Sequence, residues 1–330
     1  MFKKILGSTV TSGLPSVKLL ASIAVAVTIT AVSAVSAQAA DFPSKPITII
    51  VPYGAGGGTD TTGRFLANEA EKYFSQPIAV VNRSGAGGTV GTTAAAAAKP
   101  DGYTLYFGAS DALVTAPHSL KVPYTVDNFR GIVGVSYAPS SIAVRTDSPW
   151  KTLDDFLAEK GTDTIIDRGH SGVGGVHHTL LKSLFLETGI KFRDIPFQGG
   201  SKAIAALRGG HVDLIGGTPG SMMASVEAGE IRVLALSSAE QLDAFPGVPT
   251  FKEKGVDIVA TVEWYLLAPK DTPDEVVAIL EEAFMKAASS DEFKAFTVTR
   301  KQESLVRNAK DIMAKVKADS AFFGEVIKKK

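Results

Sequence analysis

The chain has 330 residues, with 34 basic and 34 acidic side chains and no cysteine. The absence of cysteine excludes a disulfide framework, a thiolate nucleophile and a cysteine-ligated zinc or iron–sulfur site. The first 39 residues carry three lysines and no acid, which leaves a small negative charge on the remainder. This balance offers no electrostatic footprint for nucleic acid.

The N-terminus has the pattern of a secretory signal peptide over residues 1–39. Three early lysines precede an uncharged run from Leu19 to Val35, and Ala-Gln-Ala at 37–39 matches a signal peptidase site. We expect cleavage near Ala39 or Ala40 and a periplasmic protein. The alternative is an uncleaved membrane anchor, because the apolar run is long for a signal sequence. No later stretch is apolar enough for a spanning helix.

Short β-branched runs and segments of helical spacing alternate through the first third of the chain. The predicted strands are Ile47–Val51, Ile78–Val81 and Tyr103–Phe107, and the predicted helices are Thr61–Phe74 and the alanine-rich Thr92–Lys99. A second series follows, with strands at 141–144, 164–166, 195–197, 212–215 and 233–236 and helices at 153–159, 178–186, 203–207 and 222–228. Such alternation predicts an α/β fold with mostly parallel sheets.

The C-terminal third has a different pattern. Residues 262–267 are predicted to form one more strand, and 273–288 and 309–327 are predicted to form long amphipathic helices. No internal repeat is evident, which argues against a solenoid.

Three segments concentrate glycine immediately after a predicted strand: residues 52–60, 82–89 and 172–175. Glycine lets the backbone approach a ligand closely, and the N-terminus of the following helix adds partial positive charge. In an open α/β sheet this strand edge is where ligands bind. The pattern therefore favours an anion site, although a tight strand-to-helix turn would use the same residues.

The glycine segments do not match the enzyme motifs that they resemble most. Thr59 stands where a dinucleotide fingerprint needs glycine or alanine, and no lysine follows the glycines as a P-loop requires. At 169–173 the sequence approaches a nucleophile elbow, but Val173 occupies the place of the last glycine. A periplasmic α/β hydrolase is therefore the weaker alternative.

An ordered set of short segments resembles the Bug family, the periplasmic receptors of tripartite tricarboxylate transporters. The resemblance covers essentially the whole chain after the signal peptide. It is carried by the segments Phe42–Ile47, Pro52–Asp60, Asn82–Gly88, Pro100–Leu105, Phe197–Gly200, Gly229–Ala235, Pro246–Thr250 and Trp264–Pro269.

This resemblance implies a two-lobed periplasmic binding protein of type II-like fold, with two Rossmann-like lobes joined by two crossing segments. One lobe would comprise residues 41–141 and 262–330, and the other residues 142–261. The crossings would lie near Ile142–Thr146 and Glu263–Leu266. It also implies that the C-terminal helices return to the first lobe.

The resemblance further implies that first-lobe loops hold a ligand carboxylate. The residues concerned are Tyr53, Ala55, Gly56, Gly57, Thr59 and Asp60 from the first loop, Gly85, Ala86, Gly87 and Gly88 from the second, and Ser110 after the third strand. Residues such as Thr59 or Asp60 at this position are more often the N-cap of the following helix than a ligand contact.

The second lobe departs from the family pattern, and its candidate ligand residues are Arg168, His170, His178 and Thr218. Arg168 with one histidine could face a second carboxylate, because a guanidinium binds carboxylates bidentately. The alternatives are ordinary surface and loop side chains, or a metal site. Adjacent His177 and His178 point in different directions on a helix and no carboxylate partner is evident, which argues against metal.

These patterns predict a binding protein that captures a di- or tricarboxylate or a related acid. It would be a monomer without catalytic residues, cofactor, metal or nucleic-acid partner, and it would dock on the membrane components of a tripartite tricarboxylate transporter. A periplasmic sensing subunit that binds the same ligand is the other alternative.

Overall fold

The computed structural model describes residues 42–197 and 199–328. The predicted signal peptide and its cleavage site lie outside these residues. The strands are β1 Ile47–Val51, β2 Ile78–Asn82, β3 Thr104–Ala109, β4 Phe129–Pro139, β5 Ser141–Arg145, β6 Ile165–His170, β7 Lys191–Pro196, β8 Leu214–Gly217, β9 Ile231–Leu236, β10 Thr261–Pro269 and β11 Glu303–Arg307. The helices are α1 Gly58–Glu71, α2 Thr89–Ala96, α3 Ala116–Ser119, α4 Leu153–Leu157, α5 Val176–Thr188, α6 Gly200–Arg208, α7 Pro219–Glu227, α8 Asp274–Ala288, α9 Asp291–Thr299 and α10 Ala309–Lys328.

The strands form two sheets, in the orders β11-β4-β10-β3-β1-β2 and β7-β6-β8-β5-β9. The prediction of mostly parallel sheets was wrong, because each sheet is mixed. β1, β2 and β3 are parallel to one another, as are β6, β7 and β8, whereas β4, β5, β9, β10 and β11 pair antiparallel. The parallel strands are joined by crossover helices, but β4 runs directly into β5 without one, so that connection imposes no parallel pairing.

The longest strand, β4, was missed by the sequence analysis, as were α9 and β11. β4 contains Gly131 and Gly134, which interrupt its β-branched pattern. A Cβ at Gly131 would overlap the carbonyl of Ala309, and one at Gly134 would lie 2.8 Å from Ile312 Cδ1. The glycines are therefore needed where α10 packs on the strand, and this contact is invisible in the local sequence.

The chain passes between the two sheets at Ser140 and again at Ala260. Ser140 N–H donates to the Ala260 carbonyl over 2.9 Å, and Ser237 bonds to both positions. The predicted crossings near 142–146 and 263–266 overlap β5 and β10 and begin just after these two positions. We propose that one lobe comprises residues 41–141 and 262–330 and that the other comprises residues 142–261.

The central strands of each sheet are buried on both faces. Ile47, Ile49 and Val51 of β1 are fully buried, and so are Ala143 and Val144 of β5. Helices cover the sheets, and the two glycine segments of the first lobe follow the carboxyl ends of β1 and β2. Within the described ranges, no helix has the length and hydropathy needed to cross a membrane.

Candidate functional site

The first glycine loop leads from β1 into α1. Gly54, Ala55 and Gly56 are exposed, and Gly57 is the N-cap of α1 in an extended conformation. The predicted N-cap role of Thr59 or Asp60 was therefore wrong. No side chain caps this helix, so its first-turn N–H groups remain available to an anion.

Asp60 holds the first glycine loop in its conformation through side-chain hydrogen bonds. Its side chain accepts hydrogen bonds from Gly56 N–H at 2.8 Å, Arg64 Nε at 2.9 Å and Asn82 Nδ2 at 2.8 Å. Asn82 also donates to the carbonyl of Tyr53, which ties the end of β2 to the same loop. Asp60 is only 2% exposed, so it positions the loop and does not face solvent.

The second glycine loop has an uncommon backbone. Gly85, Ala86, Gly87 and Gly88 have φ values of +142°, +44°, +66° and +96°. Alanine rarely adopts a positive φ, and such strain in proteins concentrates at ligand-binding segments. The first three of these residues are exposed, and Gly88 is the N-cap of α2, which again has no side-chain cap.

The hydroxyl group of Tyr53 is buried without a hydrogen-bond partner. Burial raises the pKa of this phenol well above its usual value, and the charge of Asp111 raises it further. A Cβ at Gly88 would lie 3.0 Å from the Tyr53 ring, so the two glycine loops converge here. An unsatisfied buried donor costs free energy, and a ligand oxygen would satisfy it.

Two further predicted ligand residues, Thr59 and Ser110, also form hydrogen bonds within the protein. Thr59 Oγ accepts a hydrogen bond from Trp264 Nε1 at 3.1 Å. Ser110 is fully buried, and its hydroxyl accepts from Glu263 N–H at 3.0 Å and lies 3.4 Å from the Glu263 carbonyl. The Thr59 side chain therefore joins the N-terminus of α1 to β10, and the Ser110 side chain joins the carboxyl end of β3 to β10.

In the second lobe, Arg168, His170 and His178 surround Asp194. Arg168 Nε and Nη2 donate to the two oxygens of Asp194 at 2.5 and 2.8 Å, and the guanidinium lies 4.8 Å from the Phe192 ring centroid. Arg168 and Asp194 are opposite each other in the parallel β6–β7 pair. Arg168, which the sequence analysis placed opposite a second ligand carboxylate, is buried and engages the carboxylate of Asp194.

The two histidines connect this cluster to the third glycine loop. His170 Nδ1 lies 2.8 Å from the Gly172 carbonyl, and His178 Nδ1 accepts from Gly174 N–H at 3.1 Å. Their Nε2 atoms each lie 3.7 Å from an Asp194 oxygen. The cluster therefore anchors the third glycine loop through the contacts of His170 and His178 with its backbone.

Burial and charge perturb the titration of this cluster. Burial raises the pKa of Asp194, but the nearby His178 imidazole and the Arg168 guanidinium outweigh it and hold the pKa well below its usual range. Burial lowers the pKa of His170 to about 4, and the electrostatic effect of the neighbouring His178 ring lowers it further. At neutral pH the cluster therefore contains the Arg168–Asp194 ion pair and a neutral His170.

His170, His178 and Asp194 offer ligand atoms that lie within 4.8 Å of one another, a spacing compatible with a metal ion. The structure thus supplies Asp194, the carboxylate partner that the sequence did not reveal. Arg168 already engages both of its oxygens, however. The Gly174 N–H bond to His178 Nδ1 also leaves the neutral imidazole proton on Nε2, the atom that would bind the metal. We assign no metal ion to this cluster.

Thr218 is the N-cap of α7 and faces the first lobe. It lines a cavity of about 20 Å³ together with Gly58, Trp264 and Gln302. That volume holds about one water molecule. The two lobes therefore meet here with too little space for an acid of several carbons.

A larger cavity of about 340 Å³ lies elsewhere, beside the start of β10 and along α10. Its one cationic group, Lys315, is paired with Asp319 and lies 3.4 Å from Glu263. A carboxylate would meet no unpaired positive charge there. The glycine loops are therefore the better candidate site.

Sequence reasoning missed Asp111, which lies one residue after Ser110. Asp111 Oδ1 accepts a hydrogen bond from Val176 N–H, at the first residue of α5, over 2.5 Å. The position of Asp111 at the carboxyl end of a parallel strand is the signal that could have revealed it. The lobes also meet where Lys182 Nζ donates to the Ile327 carbonyl at 2.8 Å.

Comparison with known proteins identifies the family. The sequence profile of the tripartite tricarboxylate transporter family receptor matches residues 62–330. The chain belongs to this family. The protein BugT of Bordetella pertussis is 31% identical over 266 residues, which cover 79% of this chain and 82% of BugT.

Two solved structures are similar over most of the chain. A solute-binding protein of this family from Polaromonas is 33% identical with a TM-score of 0.71, covering 88% of this chain and 100% of its own. MatC from Rhodopseudomonas palustris, solved with bound malate, is 27% identical with a TM-score of 0.80, covering 87% and 100%. The resemblance to the Bug family and the two-lobed binding-protein fold are thereby confirmed. This is a family of periplasmic solute-binding receptors, and the chain is a receptor of this family and not an enzyme.

Proposed function

We propose that this protein captures a small organic acid in the periplasm and delivers it to the membrane components of a tripartite tricarboxylate transporter. The observation that carries the proposal is the convergence of two uncapped helix N-termini, a strained glycine loop and the unpartnered Tyr53 hydroxyl at one sheet edge. Together these groups supply hydrogen-bond donors for a carboxylate without a lysine or arginine.

The residues that we propose to contact the ligand are those of the two loops, with Tyr53 central to them. Asp60, Thr59 and Ser110 would act indirectly, by holding the loops in position. The export step, with cleavage near Ala39 or Ala40, belongs to the same proposal, and the intact mass of the exported protein would locate the cleavage site.

Ligand entry requires the lobes to separate, because the contacts between them leave space only for water near Thr218. Two connections pass between the sheets, β4–β5 at Ser140 and β9–β10 from Ser237 to Ala260, and together they would serve as the hinge. A receptor of this kind shifts from an open to a closed population when its ligand binds both lobes.

Thermal melts with a panel of acids test the function directly. The panel contains aliphatic, hydroxy-, di-, tri- and aromatic carboxylic acids. We expect one or a few acids to raise the melting temperature by about 5 °C at 100 times Kd, equivalent to about 2.7 kcal/mol. A panel in which no acid changes the melting temperature would contradict the receptor function.

Replacing Gly87 with valine tests the second loop. Gly87 has a φ of +66° and open space around it, so the cost arises from the backbone alone. We expect about tenfold weaker binding of the acid selected by the panel, measured by calorimetry, because the loop must change shape. Gly161 is the matched control, since it also has a positive φ and open space but lies in an exposed second-lobe turn. Equal affinities of Gly87→Val and Gly161→Val would show that the second loop is only a turn.

A further inference from the structure

The N-terminus of α5 is occupied by a carboxylate from the other lobe. The third glycine loop precedes this helix, and its N-cap residue, Gly175, provides no capping side chain. Asp111 instead accepts the Val176 N–H across the cleft, although 65 positions separate the two residues. A helix N-terminus attracts an anion, and here the protein provides that anion itself.

Asp111 lies among the groups that we propose to bind the ligand. It follows β3, which pairs with β1, so it emerges beside the first glycine loop. Its neighbour Ala112 would contact a Cβ at Gly88 at 2.9 Å, which places the second loop against the same turn. The buried Tyr53 hydroxyl is close enough for the Asp111 charge to affect its titration.

The third loop approaches this position closely because it consists of glycine. A Cβ at Gly172 would lie 3.8 Å from Gly87 Cα, and one at Gly175 would lie 3.3 Å from Asp111 Oδ1. A Cβ at Gly174 would overlap the hydroxyl of Ser119. Asp111 is therefore enclosed between the loops of both lobes, on the path from the first-lobe carboxylate site to α5.

We propose that Asp111 is a specificity-determining residue that fills the second lobe's anion position and thereby selects acids with a single carboxylate. This inference rests on the proposed function. A ligand whose first carboxylate binds the first-lobe loops would bring a second carboxylate toward α5, where it would meet the like charge of Asp111. Like charges in a partly buried site repel strongly, so the second lobe accepts a neutral ligand end.

Binding of matched acid pairs by calorimetry tests this selectivity. Each pair differs by the replacement of one carboxylate with a methyl group: adipate and hexanoate, succinate and butyrate, malate and 3-hydroxybutyrate. For each pair that binds, we expect wild type to prefer the monocarboxylate at least tenfold. Asp111→Ala should reduce that preference at least tenfold, because it removes the charge and leaves the Val176 N–H free for the second carboxylate.

Asp111→Asn separates charge from structure, since its amide oxygen still accepts the Val176 N–H. Asp111→Asn should reduce the preference for the monocarboxylate at least threefold. It should also fold even if Asp111→Ala fails to fold. Asp163→Asn is the matched control, because Asp163 is fully exposed and pairs with Lys191 at the surface. That variant should leave the preference unchanged.

The proposal is overturned if wild type prefers the dicarboxylates, or if the preference is the same in wild type and every folded Asp111 variant. A wild-type protein that binds no acid of either class, in these pairs or in the melt panel, would instead refute the proposed function itself.

Discussion

Replacing Asp60 with alanine is expected to lower the free energy of unfolding by about 3 kcal/mol and to weaken carboxylate binding at least tenfold. The buried carboxylate accepts three hydrogen bonds, and bonds to a charged group contribute about 1.5–3 kcal/mol each. The total is smaller than their sum because Arg64 is 47% exposed and regains water. Denaturant unfolding at pH 7 measures the stability.

The binding loss follows from the freed first loop. Without the bond to Gly56 N–H, the loop must be ordered by the ligand, at a cost of about 1–2 kcal/mol for each residue. A cost of 1.4 kcal/mol corresponds to a tenfold weaker affinity. Asp274→Ala is the control, because Asp274 is 89% exposed in a surface ion pair with Arg130. Similar losses in both variants would contradict the role of Asp60.

Lowering the pH should reduce the contribution of Asp60 to the free energy of unfolding. Burial raises the pKa of its carboxyl group, but hydrogen bonds from Gly56, Arg64 and Asn82 outweigh this effect and lower it overall. A lowered folded-state pKa gives stability that is present above the unfolded pKa and is lost as the pH falls through the folded value. The difference between wild type and Asp60→Ala should therefore be largest near neutral pH.

The protein is also expected to lose about 2 kcal/mol of stability between pH 7 and pH 5 because of His170. Its pKa is lowered from 6.5 in the unfolded chain to about 4 in the folded protein, chiefly by burial. The folded state therefore binds fewer protons in this range, and stability falls as the pH drops from about 6.5 toward 4. Arg168 and His178 oppose protonation, whereas Asp194 favours it.

The variant His170→Asn tests this origin by denaturant unfolding at both pH values. Its amide can still donate to the Gly172 carbonyl, but it does not titrate. We expect the loss between pH 7 and pH 5 to be about 2 kcal/mol smaller than in wild type. His177, also buried with a lowered pKa, contributes in the same direction to both proteins and cancels. The exposed His211→Asn is the control, and equal losses in wild type and His170→Asn would refute this assignment.

The elements that sequence analysis predicted well have strong local signals. Strand β1 is a continuous β-branched run, and the glycine segments directly follow their strands. Strand prediction failed where a glycine is needed for packing against an element that is distant in the sequence. Gly131 lies within a strand because α10 packs there, some 180 residues later in the chain.

Within the candidate site, the sequence located the loops but not the roles of their neighbours. Thr59 and Ser110 looked like ligand contacts, and the structure bonds them to β10. Arg168 looked free to bind a second carboxylate, and Asp194 pairs with it through the β6–β7 register. Register depends on which strands become neighbours, so no local pattern contains it.

The sequence by itself determined the receptor family, the positions of the glycine loops and most of the helices and strands. These features depend on short-range chemistry: β-branched side chains, backbone freedom at glycine and ordered motifs. Only the tertiary structure decided which groups of the two lobes contact each other across the cleft. Asp111 reaches Val176 N–H because two lobes, each folded from separate stretches, face each other at their strand ends. That contact depends on the geometry of both sheets together, and it is the one that we propose to set the choice of ligand.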